Sequence, residues 1–245
     1  MEMIDLNATD LVIFDCDGVL VDSEPLANEV LASHATTLGW SMDQEISQKL
    51  FKGMTMAQIH HRFEERLERT LSRDWIELYY TDCFALFKKR LKPISGVGDL
   101  IARVKNAGKR VCVASQGPHN KMRLTLGVTG LWDHFDGRIF SAHDVARPKP
   151  YPDLFLHAAQ KMGVTPEYCC VIEDSQTGLK AARAAKMPVI YYASEMLAAE
   201  QAQFPVGEVA LHMDEIFPHR TWRKTRSDFK TTMETSVQKS LQVGL

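Results

Sequence analysis

Short, largely apolar runs punctuate the chain at residues 11–14, 110–114, 138–140, 169–172 and 189–192. Uninterrupted apolar character, as opposed to alternation, marks strands buried on both faces, the habit of a parallel sheet. Between the later runs, residues 100–107, 121–126, 154–162 and 179–185 carry apolar positions at helical spacing. Strands and helices in alternation predict βαβ units and a doubly wound α/β sheet. In such sheets the ligand lies beyond the carboxyl ends of the strands. Residues that carry chemistry are therefore expected where the apolar runs end.

The interval between the first and second runs is too long for a single crossover. Leu26, Val30, Leu31 and Leu38 form one apolar stripe, and Met56, Ile59, Phe63 and Leu67 a second. Ile76, Tyr80, Cys83, Phe87 and Leu91 form a third, all at helical spacing. Three helices are thus predicted in an insertion over residues 23–91. Asp22-Ser23-Glu24-Pro25 bounds it on one side and Lys92-Pro93-Ile94-Ser95-Gly96-Val97-Gly98 on the other. Pro and Gly at both junctions suit hinged linkers, so the insertion is expected to act as a lid. Residues 1–22 and 92–217 then make the α/β core, with a last edge strand expected within 206–217. Residues 218–245 form a polar tail whose first part is basic (Arg220, Arg223, Lys224, Arg226).

Composition narrows the field. The 245 residues are 45% hydrophobic and 24% charged, ordinary values that exclude wholesale disorder. A net charge of −2 offers no general attraction to nucleic acid or anionic membrane, and neither is expected as a partner. No apolar stretch approaches the roughly 20 residues needed to span a bilayer. The N-terminus is acidic and lacks a basic stretch leading into an apolar one, so no signal peptide is expected. Cys16, Cys83, Cys112, Cys169 and Cys170 are odd in number and form no C-x-x-C pair, which suits a reducing, cytoplasmic setting. His60 and His61 are adjacent and point to different faces of a helix, so they do not suggest a shared metal.

The ends of the runs do carry chemistry. The first ends in Asp15-Cys16-Asp17-Gly18-Val19-Leu20, with two carboxylates one residue apart. Taken alone this is either a solvated acidic turn or a pair whose repulsion a cation relieves. The second ends in Ser115-Gln116-Gly117-Pro118, where Ser115 is either a helix cap or part of an anion site. Lys149 is held between Pro148 and Pro150, and another acidic pair, Glu173-Asp174, follows the fourth run. Carboxylates without imidazole or thiolate partners select a hard cation, usually Mg²⁺. Lysine, hydroxyl and backbone N–H groups are what a phosphoryl group needs on its other side. Together they predict a Mg²⁺-assisted phosphoryl-transfer site.

Residues 10–200 resemble the haloacid dehalogenase superfamily, with its four motifs in order. They are Asp15-Cys16-Asp17-Gly18-Val19-Leu20, then Ser115, then Lys149-Pro150-Tyr151-Pro152-Asp153-Leu154-Phe155, then Glu173-Asp174-Ser175-Gln176-Thr177-Gly178. The resemblance implies a Rossmann-like α/β core with helices on both faces and a helical cap inserted after the first strand. It makes Asp15 the nucleophile that forms an aspartyl-phosphate, and Asp17 the acid and base. Asp15, the Asp17 backbone carbonyl and Asp174 would hold Mg²⁺, with Glu173 supporting it directly or through water. Ser115, Gln116 and Lys149 would bind the phosphoryl group. Cys16, facing away from both aspartates by strand alternation, has no role in this scheme.

An acid at Asp17 argues against dehalogenase and phosphonatase members, which lack it. β-Phosphoglucomutases carry a histidine where this chain has Ala27 and an arginine where it has Met56, which favours a phosphatase over a mutase. A non-catalytic binding module on the same scaffold is disfavoured because each catalytic position holds the competent residue. The stretch Ser115-Gln116-Gly117-Pro118-His119-Asn120-Lys121-Met122 is similar to a branch that includes the bacterial 6-phosphogluconate phosphatase, with Asn120, Lys121 and Met122 as its distinctive part. The expected substrate is a small phosphorylated metabolite, a sugar phosphate or sugar-acid phosphate, with Lys52 of the insertion contacting it. The protein is expected to be a monomer or weak homo-oligomer.

Overall fold

Each of the five apolar runs becomes a strand. In the structure, a computed structural model, residues 8–51, 54–72, 74–193 and 209–217 are described. The strands are β1 (Leu11–Phe14), β2 (Arg110–Ser115), β3 (Ile139–Ser141), β4 (Cys169–Glu173) and β5 (Val189–Tyr192), joined by a short edge strand β6 (Val209–Ala210). They form one parallel sheet in the order β3-β2-β1-β4-β5-β6. Ile13 sits level with Cys112 on one side and Val171 on the other. All four β1 residues are buried, which is why the run is apolar throughout. Chain order runs outward from β1 in one direction and then returns to its other side. The end of β1 is therefore the topological switch point, where open α/β sheets place their ligands.

Among the described residues, those up to Asp15, those from Ser95 to Gln116 and those from His134 onward form one compact unit, which contains the sheet. Within it α5 (Val97–Asn106) packs on β2, and α8 (Asp153–Met162) packs on β1, β2, β3 and α9 (Gln176–Ala184). Leu154, Phe155, Ala158, Leu179 and Ala182 meet Leu11, Ile13, Cys112 and Ala114 in the core. Burying Leu154 or Phe155 contributes roughly 1.5–3 kcal/mol each in transfer free energy. Arg103 of α5 donates from Nη2 to the carbonyls of Met213 (2.8 Å) and Ile216 (3.2 Å), fastening the segment after β6.

A second unit comprises Cys16–Ile94 and Gly117–Asp133. It holds four helices of the insertion, α1 (Glu24–Thr37), α2 (Gln44–Phe51), α3 (Met56–Leu67) and α4 (Trp75–Arg90), together with α6 (His119–Val128). The short α7 (Trp132–Phe135) follows. Among its described residues the insertion thus has one helix more than its apolar stripes predict. The phase of α4 also differs, because its buried face is Trp75, Tyr79, Cys83 and Phe87, with Ile76 and Tyr80 only half-buried. Trp75 stands in a ring cluster with Phe63 (4.8 Å), His60 (5.7 Å) and His34 (5.8 Å) between centroids. The two linkers run side by side. Asp22 N–H donates to the Lys92 carbonyl and Ile94 N–H to that of Leu20, both at 3.0 Å. No helix among the described residues is long and apolar enough to cross a membrane. Lys52 and the tail from 218 lie outside the described residues.

Candidate active site

Asp15 follows the last residue of β1, and its N–H extends the ladder to the Ile172 carbonyl at 3.0 Å. Its carboxylate, 6% exposed, meets the ammonium of Lys149, 4% exposed, with Nζ 2.6 Å from Oδ1. The same Nζ donates to Glu173 Oε1 at 2.9 Å, and it stands 4.8 Å from the centroid of the Phe155 ring. Burial disfavours the charge on Lys149, but the two carboxylates outweigh it and hold its pKa above the ordinary lysine value. One cation between two buried anions is stable only with its geometry fixed. Gln116 supplies part of that constraint. Its Oε1 accepts from Lys149 N–H (3.2 Å), and its Nε2 donates to the Lys149 carbonyl (3.5 Å). Arg147 donates to both Asp153 oxygens, at 3.0 and 2.9 Å, closing the loop that carries Lys149.

The end of β4 is organised around Glu173, which is buried. Its Oε2 accepts from the N–H groups of Asp174 (2.7 Å) and Ser175 (3.0 Å), and Ser175 Oγ donates to Oε1 at 3.1 Å. Ser175 then caps α9 by accepting from Gly178 N–H at 3.0 Å. Glu173 thus ties the turn that presents Asp174 to the lysine that meets Asp15. Ligand oxygens of Asp15, Glu173 and Asp174 all lie within 4.8 Å of one another. An all-oxygen donor set of this kind fits Mg²⁺. Ser115 is buried at the end of β2, the strand beside β1.

Asp17 has its own partners within the second unit. Gly18, at φ +78°, turns the chain, and Gly18 N–H donates to the Val21 carbonyl at 2.9 Å. One Asp17 oxygen, Oδ1, accepts from Ser23 Oγ at 2.5 Å, and Oδ2 from Lys121 Nζ at 2.7 Å. Burial again works against the Lys121 charge, and Asp17 overcomes it, raising the pKa. Tyr80, on α4, is within electrostatic reach of both; burial chiefly raises its phenol pKa, while Lys121 opposes the shift. Cys16 is buried with Sγ 3.9 Å from Thr125 Oγ1.

The structure therefore joins Asp15, Lys149 and Gln116 in one hydrogen-bonded group and places Asp174 beside it. Asp17 forms a group with Ser23 and Lys121. Neither Ser23 nor Lys121 has a role in the motif scheme. A signal existed only for Lys121, as part of the distinctive Asn120-Lys121-Met122 stretch.

A family profile described as haloacid dehalogenase-like hydrolase matches residues 9–186. The 6-phosphogluconate phosphatase of Escherichia coli K12 is 32% identical over 78% of this chain and 85% of its own length. The phosphorylated carbohydrates phosphatase of Thermotoga maritima is 28% identical over 82% and 92%. Among solved structures, a HAD family hydrolase from Deinococcus radiodurans with bound phosphate and sodium superposes with a TM-score of 0.71 at 28% identity. It covers 86% of this chain and 94% of that one.

Proposed function

The chain belongs to the haloacid dehalogenase-like hydrolases, and we propose that within this family it is a Mg²⁺-dependent phosphatase of sugar phosphates or sugar-acid phosphates, 6-phosphogluconate among them. It is a phosphoric monoester hydrolase on the strength of its phosphatase relatives. The observation that carries the mechanism is the buried Lys149 between Asp15 and Glu173. An ammonium there offsets the charge of a carboxylate that must approach a phosphate dianion.

In the first half-reaction the Asp15 carboxylate attacks phosphorus. The bond from phosphorus to the ester oxygen breaks, and Asp17, having taken up a proton as the ester binds, gives it to that leaving oxygen. In the second, Asp17 takes a proton from water, whose oxygen attacks phosphorus as the bond to Asp15 breaks. Phosphate leaves and both aspartates return to their starting state. Ser115 and Lys149 hold the phosphoryl oxygens, and Gln116 holds Lys149. Asp15, Asp174 and the Asp17 carbonyl would hold Mg²⁺, which supplies positive charge against the phosphoryl oxygens when bound.

Phosphate release from an aryl phosphate and from a panel of sugar phosphates, with and without Mg²⁺, tests this reading. Release is expected to need Mg²⁺ and to fall at least about 10³-fold in Asp15→Asn. Activity that survives the substitution or ignores Mg²⁺ overturns it. With β-glucose 1-phosphate the expected product is free phosphate; catalytic formation of glucose 6-phosphate would establish a mutase instead.

A further inference from the structure

Lys121 is a charged group that the reaction scheme leaves without a task. It rises from the first turn of α6, its side chain is 19% exposed, and its Nζ is 2.7 Å from Asp17 Oδ2. An ammonium carries three N–H donors. Asp17 takes one of them, and the Lys121 side chain keeps part of its surface open to solvent. Tyr80 of α4, the helix that packs on α6, brings a phenol within electrostatic reach of the same pair.

The task proposed for Asp17 locates Lys121 relative to the substrate. To exchange a proton with the leaving oxygen, Asp17 must come within about 2.6–3.2 Å of it. Two such contacts in series put Nζ within roughly 6 Å of the leaving oxygen. That region holds the organic part of the ester, because the leaving oxygen is the atom that carries it. Hydroxyls of a neutral polyol are satisfied by neutral donors. A compact ammonium kept partly out of water is suited to an anion, and in the free protein Asp17 supplies the counter-charge. We infer that Lys121 is a specificity-determining residue that receives a carboxylate on the leaving group, so that the enzyme prefers phosphate esters of sugar acids to those of polyols of the same length. The inference rests on the phosphatase reading above.

Two esters isolate the point. 6-Phosphogluconate and glucitol 6-phosphate share the same hydroxyls and phosphate and differ at C1 alone, carboxylate against hydroxymethyl. The wild-type protein is expected to favour the acid at least about tenfold in kcat/KM. Lys121→Met is expected to bring the ratio within about threefold of one, chiefly through KM, and Lys121→Arg to keep most of the preference. Loosening Asp17 lowers kcat for both esters together and cancels in the ratio. Calorimetric binding of the two esters to Asp15→Asn, with and without Lys121→Met, gives the same comparison without turnover. An unchanged preference in both assays, with phosphate still released by the wild-type protein, overturns the role of Lys121 and leaves the phosphatase standing. No release from either ester or from the wider panel overturns both.

Discussion

Gly178 shows how far the site depends on a single missing methyl group. A Cβ built there would lie 1.7 Å from Glu173 Oε1, so the carboxylate that joins Lys149 to the α9 turn occupies the space a side chain would need. Gly98, in the first turn of α5, is the contrast, because a Cβ there meets nothing within 4 Å. Gly178→Ala is expected to destabilise the protein by about 1–3 kcal/mol through forced displacement of Glu173, and to lower phosphate release with it. Gly98→Ala is expected to raise stability by about 0.4–1 kcal/mol by restricting the unfolded chain. Urea midpoints of the two variants decide the matter, and equal effects would show that Glu173 swings aside freely. The sequence made part of this site legible: acids that terminate apolar runs break a pattern, and so stand out. Ser23 does not. It occupies the N-cap position of α1, where a serine is unremarkable, yet it makes no cap bond and its Oγ goes to Asp17. Lys121 likewise passes for a surface lysine of α6, and its partner is distant in sequence.

At the scale of the element, strands were legible because burial on both faces leaves no alternation to misread. The helices of the insertion were harder. In α2 the buried side chains are Ser47 and Phe51, while Ile46 and Leu50 are exposed, so its apolar residues mark the wrong face and no stripe is seen. In α4 the apolar doublets Trp75-Ile76 and Tyr79-Tyr80 fit two helical phases equally, and contact with the ring cluster, not pattern, selects the first of each. Strand β4 carries a consequence for pH. Burial, with Cys169 beside it, pushes the Cys170 thiol from the ordinary 9.0 up to about 12. Above pH 9 the unfolded chain releases this proton while the folded protein keeps it. The stabilisation is therefore complete below pH 9 and is lost as pH rises toward 12, by at most about 1.4 kcal/mol per pH unit for one thiol. Urea midpoints at pH 8, 9 and 10 are expected to fall less steeply in Cys170→Ala than in the wild-type protein, even though the variant starts lower. Parallel slopes would show that the thiol does not contribute.

For the whole molecule, chain order and cohesion divide the residues differently. Helix α6 lies in sequence between β2 and β3, yet it groups with the insertion helices. The contacts that bind it there are specific: it packs on α4, Lys121 pairs with Asp17, and Thr125 meets Cys16. A segment opens with the partners that bury it, because cooperative units follow contacts more closely than sequence. Native-state hydrogen exchange across a series of low denaturant concentrations should therefore give residues 119–128 the same opening free energy and denaturant dependence as residues 75–90. Peptides from β1, β2 and β4, joined by an uninterrupted parallel ladder, should share a second value of their own. Substituting Trp75 by Leu, which thins the ring cluster around α4, should lower protection in α6 by as much as in α4 and leave the strands nearly unchanged. Should residues 119–128 instead follow β2 and remain protected in that variant, the connection through the chain would outweigh the packing on α4, and Lys121 would be held in place by the sheet's own stability.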